Sequence, residues 1–405
     1  MIRSRGDAPE IAILGGGIGG LAAAAFLHRA GVPATVYEQA PALSEVGAGL
    51  VVAPNAARLL RRLGVLDGLV RDAVRLEVGW EFRRWSDGTV LSAEDLSDRC
   101  EQLFGEHTYT AHRAHLLDAI RSAVPAEAIQ LGSRCVELAL DGSRPRLRFE
   151  DGRVVEADIV IGADGIHSVV RGAITEPRPA AFAGIIAFRA LVPADRAPEF
   201  SQRPAQTLWI GPGHHLVHYP VSAGRFVNLV AFAPAAEQST ESWSATATVE
   251  EFLAEFEGWD PRLVDLIRAA GTPGRWGLFD RAPLERWSAF TPSGAVTLLG
   301  DAAHPMFPFF AQGAAQSIED AAVLAQSIAD SPHDLAAALR RYEELRIPRT
   351  ARLQEISHGR AHINHLPDGP EQEERDRAFM EADPLLANGW IYEYDPETAE
   401  VATSP

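Results

Sequence analysis

Three segments carry the residue types that chemistry needs. GGGIGG occupies 15–20, IGADGIHSVVR occupies 161–171 and LLGDAAHPMFPFFAQGAAQSIEDA occupies 298–321. In the first, Gly15, Gly17 and Gly20 satisfy G-x-G-x-x-G between a short apolar run and an alanine-rich run. In such a pattern the first glycine permits a tight turn and the second lets backbone approach a pyrophosphate. The third lets helix pack on strand. The helix start then offers free N–H groups and the positive end of a dipole to phosphate. Glu38 follows Gly15 by 23 residues and can accept hydrogen bonds from the hydroxyls of an adenosine ribose.

In the second segment Asp164 and Gly165 end a strand and open a turn, with Arg171 downstream. In the third, Asp301 ends another strand and would face a ribityl hydroxyl. Gly313 and Ala314 begin a helix that runs through Glu319 and Asp320. A helix N-terminus aimed at the pyrimidine edge of a flavin stabilises the negative charge of its reduced form. Taken singly, each aspartate reads equally well as a cap or turn residue. Taken in order, the three segments predict bound FAD.

The elements that position these residues follow from the hydrophobic pattern. Ile11 to Leu14 reads as a buried strand, Leu21 to Arg29 as a helix ending at Gly31, and Ala34 to Glu38 as the next strand. That is a βαβ unit opening a parallel sheet. Val154 to Ile161 and Ala295 to Leu299 read as further strands of it, so the cofactor domain is discontinuous. The stretch from about 180 to 275 has another texture, with strand-like segments Thr207–Ile210, Leu216–Pro220 and Phe226–Phe232. It reads as an antiparallel sheet with a helix around Val249–Phe256 lying on it. Ala233 to Thr248 reads as a surface loop. Leu335 to Arg360 reads as a long amphipathic helix containing Pro348, and Trp390, Ile391, Tyr392 and Tyr394 predict a tail docked on the body. The expected architecture is α/β. A Rossmann-like FAD domain spans 1–78, 100–178 and 276–365, a β-sheet substrate domain spans 79–99 and 179–275, and a docking tail spans 366–405.

Composition narrows the chemistry. The 405 residues carry a net charge of −18, which disfavours nucleic acid and anionic membranes as partners. The chain has no lysine, so Schiff-base catalysis and Walker-A phosphate loops are excluded. Cys100 and Cys135 are too few for a disulfide framework or a cysteine zinc site and read as small packed hydrophobes. No metal site is expected. Glycines interrupt the apolar run after the N-terminus, and no stretch is long and apolar enough to span a bilayer. A cytoplasmic monomer or homodimer is the expectation.

The chain resembles the FAD-dependent aromatic hydroxylases, the single-component flavoprotein monooxygenases typified by salicylate and hydroxybenzoate hydroxylases. The resemblance covers essentially the whole sequence. VGAGLVVAPNAARLLRRLGVLD at 46–67, with Gly49, is similar to the family's second FAD segment. AHRAHLLDAI at 111–120 presents Arg113 where the family holds FAD with an arginine. Asp164–Gly165 resembles the segment that contacts both FAD and NAD(P)H, and Gly300–Asp301 resembles the ribityl site. GPGHHLVHYPV at 211–221 resembles the substrate-domain strand that faces the flavin, and GWIYEYD at 389–395 the tail of the salicylate-hydroxylase-like subgroup. The resemblance implies a cycle in which NADH or NADPH reduces FAD, dioxygen forms a flavin hydroperoxide, and OH passes to an electron-rich ring. The sequence has no second dinucleotide fingerprint for the nicotinamide donor.

A ring hydroxyl reacts faster ionised, and a phenol has a pKa of about 10, so a nearby base helps. His215 and Tyr219 lie four apart in an expected strand and share a face. They match pocket-lining positions of the family, which implies His215 as base or substrate anchor and Tyr219 as a hydrogen-bond partner. His214 and His218 face the other side, and Gly213 is where a bulge would break the pairing. Met306, Pro308 and Phe309 are expected in the substrate pocket, beside Phe307 and Phe310; core packing explains each of these singly. Ala311 stands where the family often has glycine, and Arg189 matches a frequent family arginine without an evident role. Epoxidation of an alkene or oxidation of a purine on the same scaffold is an alternative. A non-catalytic binding protein of the same fold is another; it would not need Asp164, Asp301 and the flavin-facing helix together.

Overall fold

The computed structural model describes residues 9–43, 48–176, 180–235 and 245–399. Its first sheet has six strands in the order Ser288–Thr291, Gly294–Leu298, Ile159–Gly162, Ile11–Leu14, Ala34–Tyr37 and Ile129–Gln130. All neighbours pair in parallel except Ser288–Thr291, which returns on Gly294–Leu298 as a hairpin. The register explains the convergence of the three motifs. Leu14 lies opposite Gly162, and Gly162 opposite Leu298, so Gly15, Ala163–Asp164 and Leu299–Asp301 all leave the sheet at one edge. Ligands of open α/β sheets bind at that carboxyl edge. The three central strands are buried at every position and almost wholly apolar because both faces are covered. The helix Ile18–Arg29 packs on the sheet, and Gly313–Asp330 packs on that helix.

Two expectations change here. The run 154–161 is two strands, not one. Val154–Glu156 joins a separate antiparallel sheet with Arg146–Phe149 and Cys135–Ala139, and only Ile159–Gly162 enters the parallel sheet. The chain turns between them because Asp158 is pinned to Glu10: its N–H donates to Glu10 O at 2.8 Å and its carboxylate accepts the Glu10 N–H at 2.8 Å. The first helix begins at Ile18 rather than Leu21, taking Gly19 and Gly20 into its first turn.

The second sheet has seven strands, in the order Gly274–Asp280, Ala181–Pro193, Phe226–Pro234, His214–Val221, Ala205–Gly211, Val78–Arg84 and Val90–Asp95. Pairing is antiparallel except between Ala205–Gly211 and Val78–Arg84. Strand Gly274–Asp280 crosses residue 276 and lies wholly in this sheet. One face is buried beneath the helices Val249–Glu255 and Pro261–Arg268, with Phe188 stacked on Phe252 at 4.8 Å. The first of these helices is started by a capping box between Thr248 and Glu251. Of the expected loop 233–248, the strand takes residues up to Pro234, and 236–244 lie outside the described residues.

The long helix Leu335–Asn364 contains Pro348 and runs four residues further than its pattern suggests. The tail residues bond to the body: Arg349 donates to the carbonyls of Trp390 and Ile391, Arg58 to that of Tyr394, and Arg62 pairs with Asp395 at 2.6 Å. Among the described residues no helix is long and apolar enough to cross a membrane.

Candidate active site

The glycine turn is built by close contact. Gly15 has φ +104°, and a Cβ there would stand 2.2 Å from Ala163 O; one at Gly20 would stand 1.9 Å from Gly15 O. Gly17, Gly165 and Gly313, by contrast, have open space where a Cβ would be, so bare backbone faces outward there. All three motifs, with Gly49, Arg113 and Ala314, line one cavity of about 670 Å³. Its size suits a large ligand.

Each expected cofactor residue has a definite setting. The Glu38 carboxylate accepts the N–H of Gly16 at 2.6 Å and of Ala40 at 2.8 Å, which fixes it at the turn. Gly49 donates its N–H to Asn228 Oδ1 at 2.8 Å, and a Cβ there would stand 2.7 Å from the Tyr219 ring. It is the point where the segment 48–52 meets the second sheet. Arg113 donates its main-chain N–H to Ala48 O at 2.8 Å and starts the helix Arg113–Arg121. Asp164 is engaged within the protein: it accepts the Ser168 hydroxyl at 2.5 Å and the N–H groups of Val169 and Val170 at 2.8 and 3.3 Å. Burial raises its pKa and these hydrogen bonds oppose the rise. Arg171 donates to Ala302 O at 3.0 Å and so ties the Asp164 turn to the Asp301 turn. Asp301 itself is exposed on a short 3₁₀ turn, Gly300–Ala302, and borders the cavity. No side chain caps the helix that begins at Gly313, so its first N–H groups are open to water or a ligand. An N–H-rich turn, a free helix start, an exposed carboxylate between them and a second carboxylate at the glycine turn fit FAD.

The other end of the cavity is the second sheet. His215, Val217 and Tyr219 alternate onto its face, flanked by Phe232, Val230 and Asn228 of the next strand. Gly213 (φ +71°) sits in the hairpin turn and the strand is unbroken, so the expected face-sharing holds. His218 points away and accepts the Trp209 indole N–H at 3.2 Å; His214 lies 3.1 Å from Glu255. Met306, Pro308, Phe309 and Phe307 line the same end. Phe309 meets His215 and Phe232 edge-on at 5.0 Å. Arg189 lies over Trp276 at 4.5 Å from the ring centre, and burial holds its pKa down to about 10, so it is a cation at neutral pH. Burial pushes the Tyr219 phenol well above its ordinary value.

No hydrogen bond joins His215 to Tyr219. The partner of His215 is His365, whose Nε2 lies 2.6 Å from His215 Nδ1. Nothing in the local sequence marks His365; it reaches the strand only because the long helix continues to Asn364. Burial first, then the nearby His365, Arg360 and His214, holds the His215 pKa well below the usual range. Trp80 was also passed over. It lines the cavity with φ +41°, and its indole N–H donates to the Tyr392 hydroxyl at 3.1 Å, so the tail holds one wall of the pocket. Beneath the helix Gly313–Asp330, Arg346 pairs with Glu319 at 2.5 Å and Asp320 at 2.7 Å. Asp320 in turn accepts the Gly300 N–H at 2.9 Å and lies 2.5 Å from His304 Nε2. Two adjacent acids between the apolar runs of the helix, Glu319 and Asp320, are the sequence signal for that network.

Ala311 is in the left-handed region at φ +52°, directly before the helix start. That conformation costs a non-glycine residue about 1–2 kcal/mol, while glycine gives back about 0.4–1 kcal/mol through its freer unfolded chain. Ala311→Gly is therefore expected to stabilise the protein by about 0.5 kcal/mol. Denaturant unfolding checks this; a loss above about 1 kcal/mol would contradict the strain argument.

Comparison with known proteins agrees with this geometry. Residues 9–357 match the family model described as FAD binding domain. The chain is 42% identical over 387 residues to a 3-amino-4-hydroxybenzoate 2-monooxygenase of Streptomyces platensis, covering 96% of each. It is 36% identical to the 6-hydroxynicotinate 3-monooxygenase of Bordetella bronchiseptica, covering 89% of this chain and 94% of that one. Among solved structures, Klebsiella pneumoniae HpxO complexed with FAD and uric acid superposes with a TM-score of 0.82 at 26% identity, covering 95% of this chain and 96% of that one. A salicylate hydroxylase substrate complex gives 0.80 at 27% identity, covering 96% of each.

Proposed function

The chain belongs to the FAD-dependent aromatic hydroxylase family and is an FAD-dependent monooxygenase; from that premise we propose that it uses NAD(P)H and dioxygen to hydroxylate a small, electron-rich aromatic or heteroaromatic ring bearing a hydroxyl group. The observation that carries the reading is a single cavity with the glycine turn at one end and His215 and Tyr219 at the other. Backbone at Gly15, Gly17 and Gly20 would hold the pyrophosphate with Arg113. Glu38 would hold the ribose, Asp301 the ribityl chain, and Gly49, Gly313 and Ala314 the ring. Asp164 would act by shaping its turn, since its carboxylate already accepts three hydrogen bonds. When bound, FAD supplies electron transfer from the nicotinamide and activation of dioxygen. The chain is read as an FAD domain of 1–78, 100–178 and 276–365 and a substrate domain of 79–99 and 179–275, with strand Gly274–Asp280 crossing their boundary.

On the substrate side, His215 Nε2 takes the ring hydroxyl's proton, Tyr219 hydrogen-bonds a ring substituent, and Met306, Pro308 and Phe309 pack the ring and exclude water. The substrates in the names of the 42% and 36% relatives each carry a ring hydroxyl and a carboxylate. That supports a hydroxylated ring acid here, with half-buried, cationic Arg189 on the cavity wall to receive the carboxylate.

Asp301→Ala is expected to weaken FAD binding about 10-fold or more, the worth of one charged hydrogen bond, with the far-UV spectrum unchanged. Flavin absorbance after gel filtration measures it; full retention of FAD would sink the ribityl assignment. For the reaction, purified protein is given NADH or NADPH with hydroxybenzoates, aminohydroxybenzoates and hydroxypyridine acids, and product and peroxide are quantified together. NAD(P)H use that rises with one acid and yields hydroxylated product is expected. Peroxide alone with every ring acid would overturn the substrate class.

A further inference from the structure

We propose that His365 is the outlet for the proton that His215 takes from the substrate, the two imidazoles forming a relay from the cavity to solvent. The inference rests on the reading of His215 as the base. His215 is 2% exposed and walled by the rings of Phe232 and Phe309, 4.5 and 5.0 Å away between centres. A base in such a setting becomes a buried cation once it accepts a proton, and it turns over only by passing that proton on. Its two ring nitrogens have different surroundings. Nε2 makes no hydrogen bond among the described residues, while Nδ1 lies 2.6 Å from His365 Nε2. His365 is partly exposed and does not line the cavity. It therefore meets His215 from the outer side. Main chain fixes this approach independently of the imidazole: the Gly213 N–H, in the hairpin beside His215, donates to His365 O at 3.0 Å.

The proton count closes. At rest, His215 Nδ1–H donates to His365 Nε2, His215 Nε2 is bare toward the cavity, and His365 carries its proton on Nδ1. The substrate O–H proton moves to His215 Nε2, the Nδ1 proton crosses to His365 Nε2, and the His365 Nδ1 proton leaves to water. Both rings end neutral, each in its other tautomer. The reverse passage returns a proton to the ionised product and resets the pair. The charged and titratable groups facing the pair are Arg360 on the long helix and His214, itself 3.1 Å from Glu255. Burial lowers the His365 pKa to about 4, with His214 adding to it, so neither ring stores the proton at neutral pH.

The test follows ionisation of a visible phenol, 4-hydroxy-3-nitrobenzoate, supplied below its own phenol pKa so that it arrives protonated, on mixing with the oxidised FAD-loaded enzyme, with a pH indicator reporting proton release. His365→Gln keeps a hydrogen bond to His215 but cannot relay a proton. It is expected to slow ionisation and release about 10-fold, with FAD content and NAD(P)H reduction of the flavin unchanged. In His365→Gly, added imidazole is expected to restore the rate with increasing concentration. A wild-type rate in His365→Gln beside a slow His215→Gln overturns the relay and leaves the base standing. Equal rates in all three proteins, or no ionisation by wild type, overturn the base reading and the relay with it. Failure of imidazole to accelerate His365→Gly also overturns the relay.

Discussion

Replacing His215 with glutamine is expected to slow hydroxylation about 100-fold at neutral pH while FAD stays bound, because general-base catalysis contributes about 10²–10⁴-fold. Glutamine nearly fills the imidazole's place and keeps a hydrogen bond to His365, so what is lost is the proton acceptor. The pH profile separates this from a packing defect. Burial, then the neighbouring His365, Arg360 and His214, depresses the His215 pKa well below the usual imidazole range. The ring is thus neutral and competent throughout the neutral range, and the wild-type rate should not decline as pH falls from 8 to 6 through protonation of this group. The variant depends on substrate that ionises unaided, about tenfold more per pH unit below a phenol pKa of about 10. The wild-type advantage should therefore shrink steadily from pH 7 to 10. A constant ratio across that range, or a variant as fast as wild type, would remove His215 from the chemistry.

Arg346→Met is expected to cost about 3–5 kcal/mol of stability, the usual penalty for removing one partner of a buried ion pair. Arg346, Glu319 and Asp320 are each 0% exposed, and the guanidinium bonds both carboxylates and Gln316. Burial raises the Asp320 pKa, but the charges of His304 and Arg346 outweigh it and bring it to about 2; Glu319 is lowered likewise by Arg349 and Arg346. Folded-state values below the unfolded ones mean this stabilisation is present above about pH 4 and lost as pH falls toward 2. In the variant the buried carboxylates lose a cation and their pKa values rise. Its deficit is then greatest at pH 7 and narrows as pH falls toward 4, where the unfolded chain also takes up protons. Denaturant midpoints for both proteins at pH 7, 5.5 and 4.5 measure this. A gap that stays constant with pH would assign the loss to packing alone. FAD retention should fall with stability, because Asp320 holds the Gly300 N–H beside Asp301.

Much of the parallel sheet was legible because its three central motif-bearing strands are short apolar runs stopped by glycine or aspartate. Ile11–Leu14 stops at Gly15, and Gly294–Leu298 is followed closely by Gly300–Asp301. The break at Ala157–Asp158 was not legible, since Glu156 and Asp158 in Val154 to Ile161 fit the polar positions of one alternating strand and only the distant Glu10 shows where it bends. The period of two placed His215 and Tyr219 on one face and His218 on the other. It gave no sign of what lies behind His215, because His365 arrives from 150 residues away on a helix end that propensity sets only to within a turn. Trp80 escaped for a similar reason: a tryptophan in a strand reads as core, its left-handed backbone lies where the strand register shifts between Gly79 and Phe82, and its bond to Tyr392 is a property of the assembled tail.

The order of the parallel sheet also bears on how the chain acquires its shape. Ile11–Leu14 is made first, yet its neighbour on one side is Ile159–Gly162, and beyond that lies Gly294–Leu298. Pairings of such sequence separation form slowly, since loop closure comes before its reward. A growing chain therefore carries an apolar strand with one edge unmatched until more than a third of its length has emerged, which is when chaperones are most needed. On the proposed reading of Asp301, Gly313 and Ala314 as cofactor residues, the cradle waits for residues 300–314. Flavin is thus a late arrival during biogenesis, and it selects completed molecules by binding them.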